Sequence, residues 1–478
     1  RSRSPPEKRS FFARFPSIPA AMSCNMDSPS WAAILPSTMN TPRVDVLIIN
    51  WNGREHLEAC FASLLSGDYS NARFILVDNA SDDDSAAFVH ECFGHDPRVD
   101  VLRCPRNLGW SGGNNVAIQR SLDSGADYLF LLNNDTAVAP DAIGHLVRMA
   151  ESHPERGALA PKMLLFDTPG ILNSVGLECS ITGAAWDKGI GRADAPEWNQ
   201  PEPVIGVCGG AFFIRAEILH QTGLLPEGFE IYLNDLDLCL RIWMAGYEIW
   251  SCPEAAVRHK FSATFGQGAR ARRKYYLNTR NRFRIFLRNF PMRHLMSIKR
   301  AILKAEARAL GRAVLDGEYW RLGAHFRVYL ATAWYWPRAL HYRIGRWRAG
   351  QHPSAFWPLI RQDIAFCPGF LMPDRGWYET REVGGHRVRA FGPHAWLEIE
   401  AGSLRLIHAN CYPELGRPEI QVFLNEAPIA HLSTEDLDEA VIQVSAGRLD
   451  FFAAFLFDAD QTGEVADLGG WIGIERVK

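Results

Sequence analysis

The sequence has no long apolar segment, no C-x-x-C pair and no large charge imbalance. No run reaches the roughly 18 apolar residues that a membrane-spanning helix needs. The ten cysteines are scattered without the spacing of a zinc or redox site, so we expect reduced thiols and a cytoplasmic protein. A net charge of −3 argues against a wholly basic nucleic-acid binder. The signatures G-x-G-x-x-G and G-x-x-x-x-G-K-[ST] are also absent, which argues against dinucleotide oxidoreductases and P-loop nucleotidases.

The length and composition are those of an ordinary globular protein. The 478 residues are 47% apolar and 22% charged, which leaves room for about two to four domains. Residues 1–41 are rich in Ser, Pro and Arg without hydrophobic periodicity, so we predict a disordered leader there. We predict an α/β domain over residues 42–290, a helical region over 291–373 and a β-rich domain over 374–478.

The α/β domain is predicted from strands that alternate with helices, the pattern of a sheet built from βαβ units. The continuous apolar run over 128–132 is typical of a strand buried on both faces. Earlier strands end at Asn50, Asp78 and Arg103, and each is followed by Asn, Asp or Gly, as is the strand that ends at Asn133. The clusters therefore meet at one edge of a mostly parallel sheet flanked by helices, where α/β proteins bind ligands.

These polar clusters suit a phosphate-containing ligand. Glycine near a strand end lets backbone N–H groups approach a phosphate, while Asn and Asp side chains can read a base or a ribose. Asp135 follows Asn133 and Asn134, and one carboxylate beside two amides suits a hard divalent cation that keeps part of its water shell. Taken alone, these three residues fit an Asx turn at least as well. Together, the clusters indicate a nucleoside diphosphate carried on a metal ion.

A second group of candidate residues follows later in the chain. Gly209 and Gly210 interrupt a predicted strand over 204–215, where another molecule can approach the backbone. A helix is predicted from Asn234 because the apolar residues after it recur with helical spacing. Asp235 lies in the first turn of this helix, as either a cap or a general base that takes a proton from an attacking hydroxyl.

Two further features of this region have a structural and a functional interpretation. Asp237 and Arg241 are four residues apart on the predicted helix, so we expect a structural ion pair. His259 ends a short predicted strand over 255–259. A lone histidine is more often a surface or core residue, but its place at a strand terminus favours a metal or phosphate contact.

Six motifs occur in order along the α/β domain. They are Asn50-Trp-Asn-Gly53, Val77-Asp-Asn-Ala-Ser81, Asn107-Leu-Gly109 with Gly112-Gly-Asn-Asn115, Leu131-Leu-Asn-Asn-Asp-Thr136, Asn234-Asp-Leu-Asp-Leu-Cys-Leu-Arg241 and His259. This set resembles the inverting family 2 glycosyltransferases of the GT-A fold, most closely the rhamnosyltransferase-like branch. The resemblance covers about residues 44–290.

The resemblance implies a role for each matching residue. Asp235 would be the catalytic base, Asp78 would hydrogen-bond the nucleotide base, and Asp135 with His259 would hold Mg²⁺ or Mn²⁺. The other implied positions are Asn50, Asn52, Asn79, Asn107, Gly109, Asn115, Asn133 and Asn134 for the nucleotide sugar, and Gly209, Gly210 and Asn234 on the acceptor side.

Two residues depart from the family pattern. Asn133 stands where the D-x-D motif has its first Asp, which leaves Asp135 as the only carboxylate of that loop and lowers the expected metal affinity. Asn234 stands where a Glu usually precedes the base. A neighbouring anion raises the pKa of a carboxyl group. Without that charge, Asp235 would be a weaker base than the corresponding residue of its relatives.

The resemblance implies an inverting, metal-dependent hexosyltransferase. It would move rhamnose or a similar hexose from a nucleoside diphosphate sugar to a hydroxyl of a glycan or lipid-linked acceptor in cell-surface polysaccharide synthesis. Two alternatives stay open. A sugar nucleotidyltransferase usually starts with a Gly-rich loop and a basic residue, which the motif over 50–53 lacks. A non-catalytic binder of nucleotide sugars or polysaccharide would explain the departures at Asn133 and Asn234.

Basic residues crowd between Arg270 and Lys304, with aromatic residues among them and no acid. A solvated helix face and a nucleic-acid surface are alternatives, although no nucleic-acid motif accompanies them. We expect a surface for anionic lipid head groups or for a lipid-diphosphate acceptor, peripheral to the inner face of the cytoplasmic membrane. The Trp residues between 320 and 347 fit a membrane interface and a helical packing layer almost equally well.

From about residue 374 the hydrophobic period changes to two, with short strands between turns. This period predicts an antiparallel β-sandwich, jelly-roll-like in its topology. It is either a carbohydrate-binding module or a scaffold and oligomer contact. We favour the scaffold, because a fold alone does not imply a function.

Overall fold

The structure is a computed structural model. It describes residues 41–166, 170, 172–190, 194–260, 269–315, 317–352 and 354–361, together with separate strands and turns between 377 and 476. The predicted leader lies outside the described residues except for Thr41. The predicted domain boundaries stay predictions.

Strands and helices alternate from Val44 onward. The strands are β1 (Val44–Asn50), β2 (Ala72–Asp78), β3 (Val99–Arg103), β4 (Tyr128–Asn133), β5 (Thr136–Val138), β6 (Arg156–Leu165), β7 (Leu172–Ser174), β8 (Leu177–Cys179), β9 (Ala185–Asp187), β10 (Ala211–Arg215) and β11 (Glu248–His259). The helices are α1 (Arg54–Leu65), α2 (Ser85–Phe93), α3 (Gly109–Asp123), α4 (Ala142–Ser152), α5 (Ile218–Thr222), α6 (Asn234–Met244), α7 (Ala269–Arg288), α8 (Met292–Leu315) and α9 (Trp320–Arg348).

Nine of the described strands form one mixed sheet in the order β3-β2-β1-β4-β10-β6-β11-β5, with β7 beside β6. Strands β3, β2, β1 and β4 are parallel, as predicted. The prediction of a mostly parallel sheet also holds for the pair β6 and β11. It is wrong for β10, which runs antiparallel to both β4 and β6, and for β5, which runs antiparallel to β11. No α-helix lies in the described chain between β6 and β10, and parallel neighbours are usually joined by such a helix.

Strand β1 shows why the parallel strands read as continuous apolar runs. Val46 and Ile48 belong to a buried cluster with apolar residues of α1 and α4 on one face of the sheet. Leu47 and Ile49 belong to a second cluster with residues of α3 and α6 on the other face. Successive side chains of a strand point to opposite faces, so a strand covered by helices on both sides is apolar at every position.

Two predicted elements differ from those observed. Strand β10 covers only Ala211–Arg215, so Gly209 and Gly210 lie in the loop that leads into it. Strand β11 runs continuously over Glu248–His259, and the predicted short strand is its last part. Helix α3 begins at Gly109, because tertiary packing overrides the poor helix propensity of its Gly and Asn residues.

Helix α6 begins at Asn234, as predicted, and joins the sheet to the helices that follow. Leu238 and Ile242 pack in the core beneath the sheet. Leu236 and Leu240 pack in a third cluster with apolar residues of α7 and with Phe290, which follows that helix. Helix α6 therefore carries Asp235 on a framework that is buried on two sides.

The basic residues of α7 do not form one surface. Arg280, Arg282 and Arg288 are buried, and they pair with Glu230, Glu306 and Asp237. These three therefore cannot contribute to the predicted lipid surface. The exposed basic residues between 270 and 304 lie at the start of α7 and on α8. They are Arg272, Arg273, Arg293, Lys299, Arg300 and Lys304.

The described strands after residue 376 form two antiparallel sheets, as the period of two predicts. One has five strands, β12 (Trp377–Val383), β13 (His386–Phe391), β20 (Gly470–Arg476), β15 (Gly402–Ala409) and β18 (Leu437–Val444). The other has four, β14 (His394–Ile399), β19 (Gly447–Ala453), β16 (Ile420–Leu424) and β17 (Ala427–Leu432). Their packing as a sandwich stays a prediction.

None of the helices that the structure describes is both long enough and apolar enough to cross a membrane.

Candidate functional site

The polar ends of the parallel strands meet at one edge of the sheet. Asn50 is paired in register with Asp78, and Asn133 is paired with Ile49. The side-chain amide of Asn134 donates to Oδ1 of Asn50 across 2.6 Å. The loops after β1, β2 and β4 are therefore joined by side chains, as their sequence motifs predict.

The loops after β1 and β2 hold each other through Asn52 and Ser81. The backbone N–H of Asn52 donates to Oγ of Ser81 at 3.0 Å, and Oδ1 of Asn52 accepts from the backbone N–H of Asp82 at 2.7 Å. Asn52 has a φ of 50° and Ala80 a φ of 60°, a conformation that Asn adopts more readily than most residues. The Asn52 amide thus stabilises a tight double turn at the sheet edge.

Asp78 lies at the base of this edge. It is buried, and its Oδ1 accepts a hydrogen bond from the backbone N–H of Ser81 at 3.1 Å. Its Oδ2 lies 3.8 Å from Nε of Arg103, whose side chain is mostly exposed. Asp78 therefore has a charged neighbour that sequence reasoning did not anticipate.

Asn79 connects β2 to the start of α3. Its side-chain nitrogen donates to Oδ1 of Asn107 and to the carbonyl of Gly109, both at 3.1 Å. Gly109 has a φ of +73°, which glycine adopts without strain. A Cβ on Gly113 would lie 2.4 Å from Cδ1 of Ile49, so this glycine lets α3 lie directly against β1. The glycines of this motif serve close packing at the site as well as any approach of a ligand.

Asn115 is committed to a different contact. Its amide donates to the carbonyl of Leu225 and accepts from the backbone N–H of the same residue, each at 3.0 Å. It also donates to Oε1 of Glu227 at 3.2 Å. Asn115 is buried, and these bonds tie α3 to the segment before α6. Its predicted place in the nucleotide pocket gains no support from these contacts.

Asp135 and His259 lie together, as the motifs imply. Nε2 of His259 is 3.3 Å from Oδ1 of Asp135, and β11 pairs with β5, which begins directly after Asp135. The other ring nitrogen, Nδ1, is 2.6 Å from Oδ1 of Asn173. Because an amide oxygen only accepts hydrogen bonds, Nδ1 donates to Asn173, and Nε2 faces Asp135. Asn173 is a residue that no sequence motif pointed to.

The Asp135–His259 pair fits a divalent cation as a partial protein site. Oδ1 of Asp135 is buried and accepts no hydrogen bond from the described residues, a state that a cation would relieve. The hydrogen bond from His259 to Asn173 is the kind that orients a metal-binding imidazole. No group of three or more His, Cys, Asp or Glu in the described part of the chain could hold a metal. The remaining ligands would have to be diphosphate oxygens and water.

Gly209 and Gly210 lie between this pair and Asp235. The backbone N–H of Gly209 donates to Oδ2 of Asp235 at 3.0 Å. A Cβ on Gly210 would lie 3.4 Å from Cε1 of His259, and the Gly210 carbonyl accepts a hydrogen bond from the backbone N–H of Asn133 at 3.0 Å. Two consecutive residues without side chains therefore separate the Asp135–His259 pair from the Asp235 carboxylate.

The Asp235 carboxylate is held at the first turn of α6. Its Oδ1 accepts from the backbone N–H of Leu236 at 2.8 Å, and Oδ2 accepts from Gly209. Burial raises the pKa of Asp235 above its usual value, although these backbone hydrogen bonds oppose the shift. A carboxylate with a raised pKa is a stronger base than an ordinary aspartate. The neighbouring Asn234 is buried, and its amide donates to Oγ of Ser111.

Trp110 links the two halves of the site. Its indole Nε1–H donates to Oδ1 of Asn133 at 3.3 Å. Its ring also covers Gly209, since a Cβ on that glycine would lie 2.9 Å from Cζ2 of the indole. Asn133, which stands where the family pattern has an acid, is therefore hydrogen-bonded to a residue of helix α3.

Asp187 is a second carboxylate of the site that sequence reasoning missed. Burial, with a smaller contribution from the charge of Asp235, raises the pKa of Asp187 to about 6, although hydrogen bonds from Ser174 and Cys208 and the charge of His259 oppose the shift. Its Oδ1 is buried and accepts no hydrogen bond from the described residues. Asp187 ends the short strand β9 and belongs to no motif, so only the fold brings it to the site.

Asp237 has a structural role, as its spacing predicts. It is completely buried, and it binds Arg241 at 3.0 Å and Arg288 at 3.2 Å. The amide of Asn289 donates to it at 2.8 Å. Burial alone would raise the pKa of Asp237, but the charges of Arg288 and Arg241 hold it below its usual value. Asp237 thus fixes α6 to α7 while Asp235 faces the site.

Comparison with known proteins agrees with this architecture. Residues 45–221 match the family model described as Glycosyl transferase family 2. The uncharacterized protein y4gI of Sinorhizobium fredii is 30% identical over 250 residues, which cover 50% of this chain and 26% of that protein. The N-acetylglucosaminyl-diphospho-decaprenol L-rhamnosyltransferase of Mycobacterium tuberculosis is 25% identical over 247 residues, which cover 48% of this chain and 79% of that protein.

A solved structure, GalNAc-T7 with UDP, GalNAc and Mn²⁺, matches with a TM-score of 0.41 and 18% identity, over 52% of this chain and 48% of that one. The matching part thus spans about a quarter of the Sinorhizobium relative and about half of GalNAc-T7.

Proposed function

Since residues 45–221 belong to glycosyl transferase family 2, we propose that this protein moves a sugar from a nucleoside diphosphate sugar to an acceptor hydroxyl with inversion at the anomeric carbon. One observation carries the proposal. Gly209 donates to Asp235, and Gly210 lies against His259, which is 3.3 Å from Asp135. A base and a cation site thus lie on either side of two consecutive glycines, and Trp110 and Met163 pack against these glycines.

In this reaction Asp235 takes the proton of the acceptor hydroxyl. Its raised pKa, caused by burial, strengthens it for that step, and its two backbone hydrogen bonds fix its orientation. The oxygen of the acceptor then forms a bond to the anomeric carbon while the bond to the diphosphate breaks. A single displacement of this kind inverts the configuration of the sugar.

The donor diphosphate binds at the Asp135 side of the two glycines. A bound Mg²⁺ or Mn²⁺ would neutralise the charge of the leaving nucleoside diphosphate. Asp135 and His259 would hold it, with Asn173 orienting the imidazole. Asp78 and the joined loops after β1 and β2 would receive the nucleoside, as the resemblance implies.

The acceptor enters on the Asp235 side, close to Asp187. We propose a sugar hydroxyl of a glycan or of a lipid-linked saccharide as the acceptor, and rhamnose or a similar hexose as the transferred sugar. The likeness to the mycobacterial rhamnosyltransferase over 48% of the chain supports this choice. We also propose a role in cell-surface polysaccharide synthesis, which the family resemblance implies.

The test is release of nucleoside diphosphate from a panel of nucleotide sugars, with and without Mn²⁺. We expect one sugar nucleotide to be hydrolysed slowly without an acceptor and faster with a glycan acceptor, with a product of inverted anomeric configuration by NMR. Binding of a nucleotide sugar without any turnover would support the non-catalytic binder instead. Formation of pyrophosphate from a nucleoside triphosphate and a sugar phosphate would support the nucleotidyltransferase.

A further inference from the structure

Helices α8 and α9 have inner faces that are fixed by a buried polar cluster. Glu306 on α8 accepts hydrogen bonds from Tyr329 at 2.7 Å and from His325 at 2.9 Å, both on α9. It also pairs with Arg282 on α7. Glu306 and His325 are buried, and so is Ala339 near the other end of α9. The side of α9 that faces the protein is thereby defined.

The opposite side of α9 is apolar as well. Six large apolar residues on it are exposed, and we call them the outer face of α9. They are Phe326, Leu330, Trp334, Leu340, Ile344 and Trp347, exposed by 64%, 57%, 84%, 47%, 40% and 79%. At 3.6 residues per turn they fall within an arc of roughly 140°, opposite the buried Val328 and Tyr335. A soluble helix normally presents polar residues on that side.

The exposed charged residues of α8 and α9 have one sign. Arg327, Arg338 and Arg348 on α9 are exposed, as are Lys299, Arg300, Lys304 and Arg308 on α8. Glu306 is the only acidic residue in either helix, and it is buried. Exposed Trp and Leu residues bordered by Arg and Lys, without acids, match the composition of helices that lie in the interface of anionic membranes.

We propose that the outer face of α9 docks the protein onto the surface of an anionic lipid bilayer. The helix would lie parallel to the membrane, with Trp334 and Trp347 among the head groups and the arginines on lipid phosphates. In this arrangement the helix lies on the bilayer and does not cross it. This docking is independent of sugar transfer, although it would bring the site to a lipid-linked acceptor.

Two other partners fit this face less well. A second copy of the chain would bring the same exposed arginines against each other without acids on these helices to pair them. A nucleic acid would pair with the arginines, but it offers no apolar environment for Leu330, Leu340 and Ile344. A bilayer satisfies both the charges and the apolar side chains.

The test is sedimentation of the full chain with vesicles, without any sugar nucleotide. We expect binding to vesicles of equal parts phosphatidylcholine and phosphatidylglycerol, weak binding to pure phosphatidylcholine, and loss of binding at high salt. Trp334→Ala with Trp347→Ala should weaken binding by more than about tenfold, because two large apolar surfaces no longer enter the interface. Arg327→Gln, Arg338→Gln and Arg348→Gln together should also weaken it by more than about tenfold and reduce the salt dependence.

Trp51→Ala is the matched control, since Trp51 is 57% exposed and lies outside these helices. It should bind vesicles like the parent protein. Docking would be overturned by equal binding of the double tryptophan variant and the parent, or by no vesicle binding at all. It would also be overturned if the parent were a dimer in solution that the tryptophan changes convert to a monomer. The test measures vesicle binding and no turnover. Its result therefore does not depend on whether the protein catalyses the proposed reaction.

Discussion

The backbone N–H of Gly209 donates to Oδ2 of Asp235 across 3.0 Å, and this contact predicts the behaviour of Asp235→Asn. The amide has one oxygen, so it keeps the hydrogen bond from Gly209, loses the one from Leu236 and cannot take a proton. We expect sugar transfer to fall by about 10²- to 10⁴-fold, with donor affinity nearly unchanged and a free energy of unfolding lower by about 1 kcal/mol. Steady-state kinetics, donor titration and thermal denaturation measure the three quantities. Transfer within twofold of the parent would exclude Asp235 as the base.

Asp237, two residues further on, should behave in the opposite way. Asp237→Asn removes a buried charge from Arg241 and Arg288, and we expect the free energy of unfolding to fall by about 3–5 kcal/mol. The pKa of Asp237 is depressed, so its contribution is present above the unfolded pKa and is lost as the pH falls through the lower folded pKa. Denaturant titrations at neutral and acidic pH measure this effect. The free energies of unfolding of the parent and of Asp237→Asn should differ at neutral pH and approach each other at acidic pH.

The pKa of Asp187, raised to about 6 by burial, predicts a change of stability with pH. A carboxyl group whose folded pKa is raised stabilises the fold below its unfolded pKa, and that contribution is lost as the pH rises through about 6. Asp187→Asn should therefore gain on the order of 1–2 kcal/mol relative to the parent between acidic and neutral pH. Denaturant titration at both pH values measures the gain. A constant difference between the two proteins would exclude this titration.

Asn173 orients His259, so its removal should weaken metal binding without removing a ligand. In Asn173→Ala the imidazole loses the partner of Nδ1 at 2.6 Å, and we expect the affinity for Mn²⁺ to fall by about 10- to 100-fold. Asn133→Asp restores the carboxylate of the family pattern and should raise the affinity. Mn²⁺ titration by electron paramagnetic resonance, in the presence of a nucleoside diphosphate, measures both. If the parent, Asn173→Ala and Asn133→Asp bind Mn²⁺ with equal affinity, the metal does not bind at Asp135 and His259.

The sequence predicts well that the ends of β1, β2 and β4 meet at one edge of the sheet, because the pattern behind this prediction is local. Asn50, Asp78 and Asn133 each end a strand, and parallel strands must place their carboxyl ends at one edge. The interruption at Gly209 and Gly210 is equally visible, since glycine in an apolar segment is costly without a reason. Periodicity also finds the start of α6, because its apolar stripe and Asp237 follow helical spacing.

The parts that the sequence does not reveal depend on contacts between distant segments. Asn173 and Asp187 lie in strands of three residues that carry no motif. Strand β7 belongs to the mixed sheet and β9 to the separate β8–β9 pair, so only the fold brings these residues beside His259 and Asp235. The basic residues of α7 look alike in sequence, yet Arg280 is buried and Arg272 is exposed. Which basic residue finds a buried acid is a matter of tertiary packing and leaves no local signal.

Asn281 on α7 should control the position of Asp235 through the loop before α6. Glu230, Tyr232 and Leu233 have φ values of 67°, 71° and 60°, each at a cost of about 1–3 kcal/mol. The buried Asn281 amide donates to the carbonyls of Phe229, Ile231 and Tyr232, each at 2.9 Å. Asn281→Leu removes these bonds, so the loop can relax and displace the first turn of α6.

For Asn281→Leu we expect the turnover number to fall at least about tenfold, while donor affinity at the opposite end of the sheet edge stays within about twofold. Asn278→Leu is the matched control, because it makes the same change one turn earlier on α7 at a partly exposed position. Turnover number and donor affinity are measured separately. Displacement of the base lowers the turnover number alone, whereas general unfolding lowers both. Equal loss of both quantities would mean that Asn281 serves stability alone.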